Sequence, residues 1–329
     1  MPILATDDFT GAELTDIIND VETPKLFLQS IGVFETKGIR TTSLEVERRA
    51  GGLQLVKTSG RGTEDGTSMT GAKRDLIKFD SVRLMVKDTI EPEDLQDIRR
   101  FGEGADGLEQ VEEELSDRST RMREVLEVNL ERQRFGAIQG KVLDSDGTVI
   151  HDMFTKFDYK QTVIEVAFGD ASDLEAQVLA AKNAADKAIK GKPRKGYIAL
   201  CGADFTDKLH LDKDFKDAYK IYQDSVQART DMRECISYRN IDWMKCNDGI
   251  GETPYIAADE AYLFPVVQGM FVERYTAADI MWAVNQKGLQ FYLTQEELKH
   301  GMGVELWARS FPIILNTIPH AVIKLKLKK

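Results

Sequence analysis

GLEQVEEELSDRSTRMREVLEVNLERQRFGAIQG, residues 107–140, is the stretch around which the chain is organised. Leu108, Val111, Leu115, Met122, Val125, Leu126 and Leu130 recur at three- and four-residue spacing, which places them along one face of a helix and leaves a charged face opposite. At 1.5 Å per residue such a helix would reach about 48 Å if Gly136 does not break it, and Gly140 suits the position just past its end. That is long for a compact domain of this size, and coiled coil, helical repeat and extended spine are the explanations to weigh. The polar interruption at Arg118 and Ser119 argues against a heptad seam, which would continue there. A spine is the better fit, its apolar face packed on strands from residues 141–165 and 310–329.

The 329 residues suffice for roughly two ordinary domains, and a 42% hydrophobic content is enough to bury a core. With 44 basic and 55 acidic residues the net charge is −11, so non-specific attraction to nucleic-acid phosphates is not expected. There is no run of about 18 apolar residues. The N-terminal MPILATDDFTGAELTD carries acidic residues where a signal peptide would be basic, so a soluble chain not exported by a signal peptide is expected. Cys201, Cys235 and Cys246 have no C-x-x-C spacing and suit reduced, buried thiols in a cytosolic setting; a Cys235–Cys246 disulfide is the alternative.

Taken in order, residues 10–20 read as a short helix, followed after Pro24 by the apolar stretch LFLQSIGVF. From Arg40 the period changes to two: Thr42, Leu44 and Val46 alternate, Ala50 to Gly52 make a turn, and Leu53 and Leu55 resume, which predicts a β-hairpin. TSGRGTEDGTSMTGAKR, rich in glycine and small polar residues, predicts a mobile loop tip. LIKFDSVRLMVKDTI returns as strand before Pro92 opens a short helix. The whole of 41–100 is a long two-stranded excursion. After the long helix, KVLDSDGTVIHDMFTKFDY predicts strand, Asp-Gly turn and strand. Ser172 to Glu175 form a capping-box pattern before a helix closed by Gly191. YIALCG is a buried strand, ADFTDKLHLDKDFKDAYKIY holds one or two helices, and ISYRNIDWMKC and EAYLFPVVQ are strands. The terminal Val322, Ile323, Leu325 and Leu327 alternate with lysines, which predicts an edge strand. Interleaving without a sustained βαβ repeat makes the fold α+β.

Several motifs imitate chemistry. Asp144, Asp146, Gly147 and Thr148 match the D-x-D-G-T loop of haloacid-dehalogenase-type phosphatases, in which the first Asp is a nucleophile and the second a general acid. Gly169, Asp170 and Asp173 follow too soon to be the distant magnesium-binding pair that this chemistry needs, so a hairpin turn is the preferred reading. As a calcium loop the same stretch fails at its twelfth position, Thr155. GTSMTGAK has Lys73 one position late and Arg74 in place of Ser or Thr, so it is no phosphate-binding loop. His151, His210, His300 and His320 are scattered and read as surface or turn residues, and no metal or cofactor is expected. Trp243, Trp282 and Trp307 read as core or interface anchors.

FDSVRLMVKDTIEPEDLQDIR, Glu131 to Asp158 with GKVLDSDGTVIHD, YIAADEAYLFP, WAVNQKGLQFY and WARSFPIILNTIPHAVIKLKL, in that order, resemble the lambda-like major capsid protein E family of tailed phages. The resemblance implies an α+β Hong Kong 97-type major capsid fold. Residues 1–40 would be an N-terminal arm, 41–100 the extended β-hairpin loop, 101–165 a peripheral domain with the spine helix, 166–299 an axial domain, and 300–329 C-terminal strands completing the peripheral domain. It further implies a non-enzymatic, siphovirus-like virion protein, assembled in the host cytoplasm into pentamers and hexamers of an icosahedral shell. Scaffold, portal and decoration proteins are possible partners, double-stranded DNA is met only by non-specific enclosure, and no membrane is involved. An encapsulin-like compartment shell is the alternative on the same fold. Independently of the family, an excursion that buries little of itself needs a partner surface, where Arg61, Glu64, Asp65, Lys73 and Arg74 are candidate inter-subunit contacts.

Overall fold

The computed structural model describes residues 10–21, 23–49, 74–96, 107–169, 174–213, 215–216, 235–251 and 253–328. The long helix forms over Gly107–Gln139, 33 residues that run unbroken through Gly136, and Gly140 follows in the left-handed region. Leu115, Met122, Leu126 and Leu130 are buried as their spacing predicts. Val125 is instead 48% exposed. Successive helical residues diverge by about 100°, so Val125 and Leu126 share the buried stripe only where the helix is packed on two sides. Such packing comes later: every residue from Glu131 to Ile138 except Arg132 is buried.

Two three-stranded sheets hold this helix. One runs Tyr292–Glu297, Val304–Ser310, Leu84–Ile90, all antiparallel. Period-two burial along VELWARS sends Val304, Leu306 and Ala308 into the core and leaves Glu305, Trp307 and Arg309 partly exposed. The other sheet sets Phe271–Tyr275 between Phe34–Gly38, parallel, and Pro312–Asn316, antiparallel. The helix Gly11–Asp20 starts at a capping box, Thr10 with Glu13, and buries Leu14 and Ile18 in the same core.

The second lobe is a six-stranded mixed sheet in the order Val163–Val166, Ile323–Leu327, Glu260–Pro265, Tyr197–Cys201, Ile241–Lys245, Cys235–Tyr238. The helices Leu174–Ile189 and Ala203–Leu211 pack on it through Val178, Ala181, Ala185, Phe205 and Leu209. The strands of the six-stranded sheet are drawn from both sides of the stretch Phe271–Asn316, whose strands return to the long helix.

Three local expectations are corrected. The terminal strand is internal, paired with Val163–Val166 on one side and Glu260–Pro265 on the other. Its Lys–Leu alternation marks a solvated face, which carries no information about the edges. Ser43–Arg49 pairs antiparallel with Arg74–Asp80, and the expected turn at Ala50 to Gly52 with Leu53 and Leu55 lies outside the described residues. The hairpin after the long helix is confined to Lys141–Leu143 and Val149–Asp152, because Asp152 accepts bonds from the backbone amides of Phe154 and Thr155 and caps a short helix, Met153–Lys156. ISYRNIDWMKC is itself a hairpin, turning through Arg239 and Asn240 at positive φ, the geometry of a type I′ turn. The capping-box residues Ser172 and Asp173 lie outside the described residues.

Candidate assembly site

On the charged face of the long helix, Arg123, Glu127, Glu131 and Arg134 stand at three- and four-residue spacing. The structure buries Glu127, Glu131 and Arg134 and half-buries Arg123. Arg123 Nη1 donates to the carbonyls of Ile18, Asn19 and Val21, at 2.8, 2.9 and 2.6 Å, while its Nε pairs with Glu127. Glu127 also accepts from the Thr23 hydroxyl at 2.7 Å, and Glu131 accepts from the Leu28 amide. Arg134 then bridges Glu131 (2.9 Å) and Glu273 (2.8 Å), and the Tyr275 hydroxyl donates to Glu273. These groups pin the N-terminal segment and the strand Phe271–Tyr275 to one face of the helix. Burial, opposed by Arg134, pushes the Glu131 carboxyl above its ordinary range. Glu273 raises the Arg134 guanidinium against its own desolvation.

A second cationic hub lies where sequence reading found only a polar interruption. Ser119 is fully buried and bonds back to the Leu115 carbonyl, and Arg118 pairs with Glu114, Asp88 and Asp94 at 2.6, 3.0 and 3.0 Å. The helix is thereby tied to the strand Leu84–Ile90 and the short helix Pro92–Gln96, the chain returning from the excursion. At the excursion's stem Phe79 is buried edge-on to His151 and tilted against Phe157, with Lys156 Nζ above its ring. His151 is thus a core residue, not the surface or turn residue expected; burial drives its pKa down to about 4.

Of the five expected inter-subunit contacts, Arg61, Glu64, Asp65 and Lys73 lie outside the described residues. Arg74 is the first residue of its strand, opposite Arg49, and its side chain is likewise not described. The residues that sequence reasoning missed are Glu131, Arg134 and Glu273; the i, i+3 spacing of the first two was the local signal, but Glu273 lies 139 residues from Arg134.

The catalytic imitations dissolve into local structure. Asp144 accepts from the Ser145 amide at 2.6 Å and Asp146 from the Thr148 amide at 2.8 Å, so both carboxylates brace the turn, in which Gly147 has φ of 87°. Among the described residues no three His, Cys, Asp or Glu side chains are grouped to hold a metal ion, and no helix is long and apolar enough to cross a membrane. All three cysteines are free thiols, and burial raises Cys246 to about 12 and Cys201 further, so the alternative Cys235–Cys246 bond is not formed.

The model of the family described as phage major capsid protein E matches residues 10–327. The chain belongs to that family. Solved capsid proteins share the fold of this phage major capsid protein E member at low sequence identity. The capsid protein of cyanophage P-SCSP1u has TM-score 0.52 and 11% identity, over 90% of this chain and 87% of that one. A capsid protein of a prophage in E. coli CFT073 has TM-score 0.50 and 14% identity, over 78% and 80% of the two chains. The capsid of a native GTA particle has TM-score 0.50 and 15% identity, over 94% of each. No curated protein sequence matches. The mixed helix-and-sheet architecture is that of the Hong Kong 97-type phage capsid, and the place of such a capsid protein is the shell of the virion.

Proposed function

We propose that the chain is the major capsid protein of a tailed double-stranded-DNA bacteriophage, a structural protein that self-assembles into pentamers and hexamers of an icosahedral shell. The observation that carries this reading is the family match across residues 10–327, joined to a capsid-type fold. The same match favours a phage shell over an encapsulin-like compartment. The protein works without catalysis: its one phosphatase-like motif spends both carboxylates on a turn.

In this reading Gly107–Gln139 is the spine of the peripheral domain, and the six-stranded lobe of 163–265 with 323–327 is the axial domain. The strands Ser43–Arg49 and Arg74–Asp80 are the stem of the extended loop, whose tip meets a neighbouring subunit through Arg61, Glu64, Asp65, Lys73 and Arg74. Such exposed ion pairs contribute at most about 1 kcal/mol each and serve register more than affinity. The N-terminal segment from residue 10 is docked on its own spine. Scaffold, portal and decoration proteins are the further partners.

Electron microscopy of the purified protein tests the reading: closed shells or capsomers are expected, and a strictly monomeric product under all conditions refutes it. Deleting residues Thr58 to Gly71 should reduce assembly while leaving the subunit's thermal unfolding unchanged; normal shells from that variant would refute the loop's role.

A further inference from the structure

The net charge of −11 does not extend to every part of the surface. A cleft of about 640 Å³ opens on the six-stranded lobe, lined by Ala167, Phe168, Leu211 and four lysines: Lys208, Lys213, Lys216 and Lys328. Its one acidic lining residue, Asp212, is buried. The lysines come from separate places. Lys208 is in the last turn of the helix Ala203–Leu211, Lys213 and Lys216 follow that helix, and Lys328 follows the terminal strand. A helix C-terminus accounts for cations on its own last turn, but not for one delivered from more than a hundred residues away.

The backbone explains the convergence. Ile323–Leu327 and Val163–Val166 run parallel, so both end at the cleft, where the Lys328 amide donates to the Val166 carbonyl at 2.9 Å. Crevices at the carboxyl ends of parallel strands are recurrent ligand sites. Elsewhere on the terminal strand the lysines are matched, Lys324 with Glu260 at 2.7 Å and Lys326 with Asp259 at 3.7 Å. The four cleft ammonium groups join none of the ion pairs among the described residues.

We infer that this lysine cleft is a binding site for the phosphate backbone of nucleic acid, through which an otherwise acidic shell subunit touches DNA. The choice among anions follows from the donors. Lysine is a point charge that suits phosphates at any register, whereas carboxylate recognition favours the paired donors of arginine, and the cleft has none. Flexible point-charge donors drawn from separate parts of the chain fit a polymer bound without sequence preference. The identity of the polymer as DNA rests on the capsid reading.

The test is fluorescence anisotropy of a labelled 20-base-pair duplex with the purified full chain. Four phosphate contacts give a slope of about −3.6 in log K against log salt, or about 150-fold weaker binding at 200 than at 50 mM salt. Replacing Lys208, Lys213, Lys216 and Lys328 by Ala should abolish that binding. Replacing Lys187, Lys190, Lys192 and Lys195, exposed lysines on the same lobe, makes the same change in net charge and should leave it intact. Equal loss in both variants, no binding by the unmodified chain, or binding of polyglutamate in preference to the duplex would each overturn the inference. Microscopy of the same samples reads assembly separately: shells that form without binding the duplex refute the cleft's role and leave the capsid function standing.

Discussion

Replacing Arg134 with Met should destabilise the subunit far more than losing one surface cation would. Met fills much of the same space, so the change removes charge and hydrogen bonds with little cavity. Arg134 is 3% exposed and holds Glu131 and Glu273, each 2% exposed, so the variant leaves two carboxylates buried with no guanidinium between them. Breaking a buried ion pair from one side costs about 3–5 kcal/mol. A chain of this length has an unfolding entropy of about 0.7 kcal/mol per kelvin, which turns that loss into a melting temperature lower by about 4–7 °C. Glu273→Gln is the informative contrast. It removes one of the two carboxylates, leaves the Arg134–Glu131 pair and keeps an oxygen for the Tyr275 hydroxyl, so it should cost about 1–2 kcal/mol. Acidity separates the mechanisms further. Glu131 already has a raised pKa, and without Arg134 it is raised more; a carboxyl whose folded pKa lies above its unfolded value gains stability as pH falls. The Arg134→Met deficit should therefore shrink between pH 7 and pH 5. Differential scanning calorimetry at both pH values reads all three quantities. A melting temperature within 1 °C of the unmodified protein, or equal losses from both variants, would refute a network centred on Arg134.

Other expectations follow from the same packing. His151, with its folded pKa lowered to about 4, contributes stability that is whole above about pH 6.5 and is lost as pH falls toward 4; His151→Phe should flatten the acid limb of melting temperature against pH by up to one proton, about 1.4 kcal/mol per pH unit. Gly136→Ala, which would stabilise an isolated helix by about 1 kcal/mol, should here destabilise, because the new Cβ would lie 2.6 Å from the Lys141 carbonyl oxygen; thermal melts give the sign directly. Leu130→Ala should cost about 2–5 kcal/mol and Val125→Ala under about 0.5, and similar values from urea titration would contradict the assignment of the helix's buried face.

Much of this architecture is legible in the residues alone. The three-and-four spacing from Leu115 to Leu130 predicts the long helix, residues 10–20 read as a short one, and Asp-Gly at 146–147 predicts the hairpin that disarms a phosphatase motif. These are local matters, decided by side chains within a turn or two of one another. The order of motifs also sufficed for the family, because order survives where individual contacts do not.

Tertiary structure alone decided what surrounds each element. Periodicity reports that a face is polar; it does not report whether that face meets water or a distant counter-charge. Hence sequence shows Glu131 and Arg134 only as part of a charged face, while the strand carrying Glu273 arrives from 139 residues away, and the Lys–Leu alternation of the last strand reads as an edge although partners close both sides. The lysine cleft has the same origin: Lys208 and Lys328 lie in unremarkable surface stretches, and only the parallel ends of two strands place their charges around one space. Burial and charge pairing depend on groups far apart in the chain, so they are properties of the fold and not of any window of sequence.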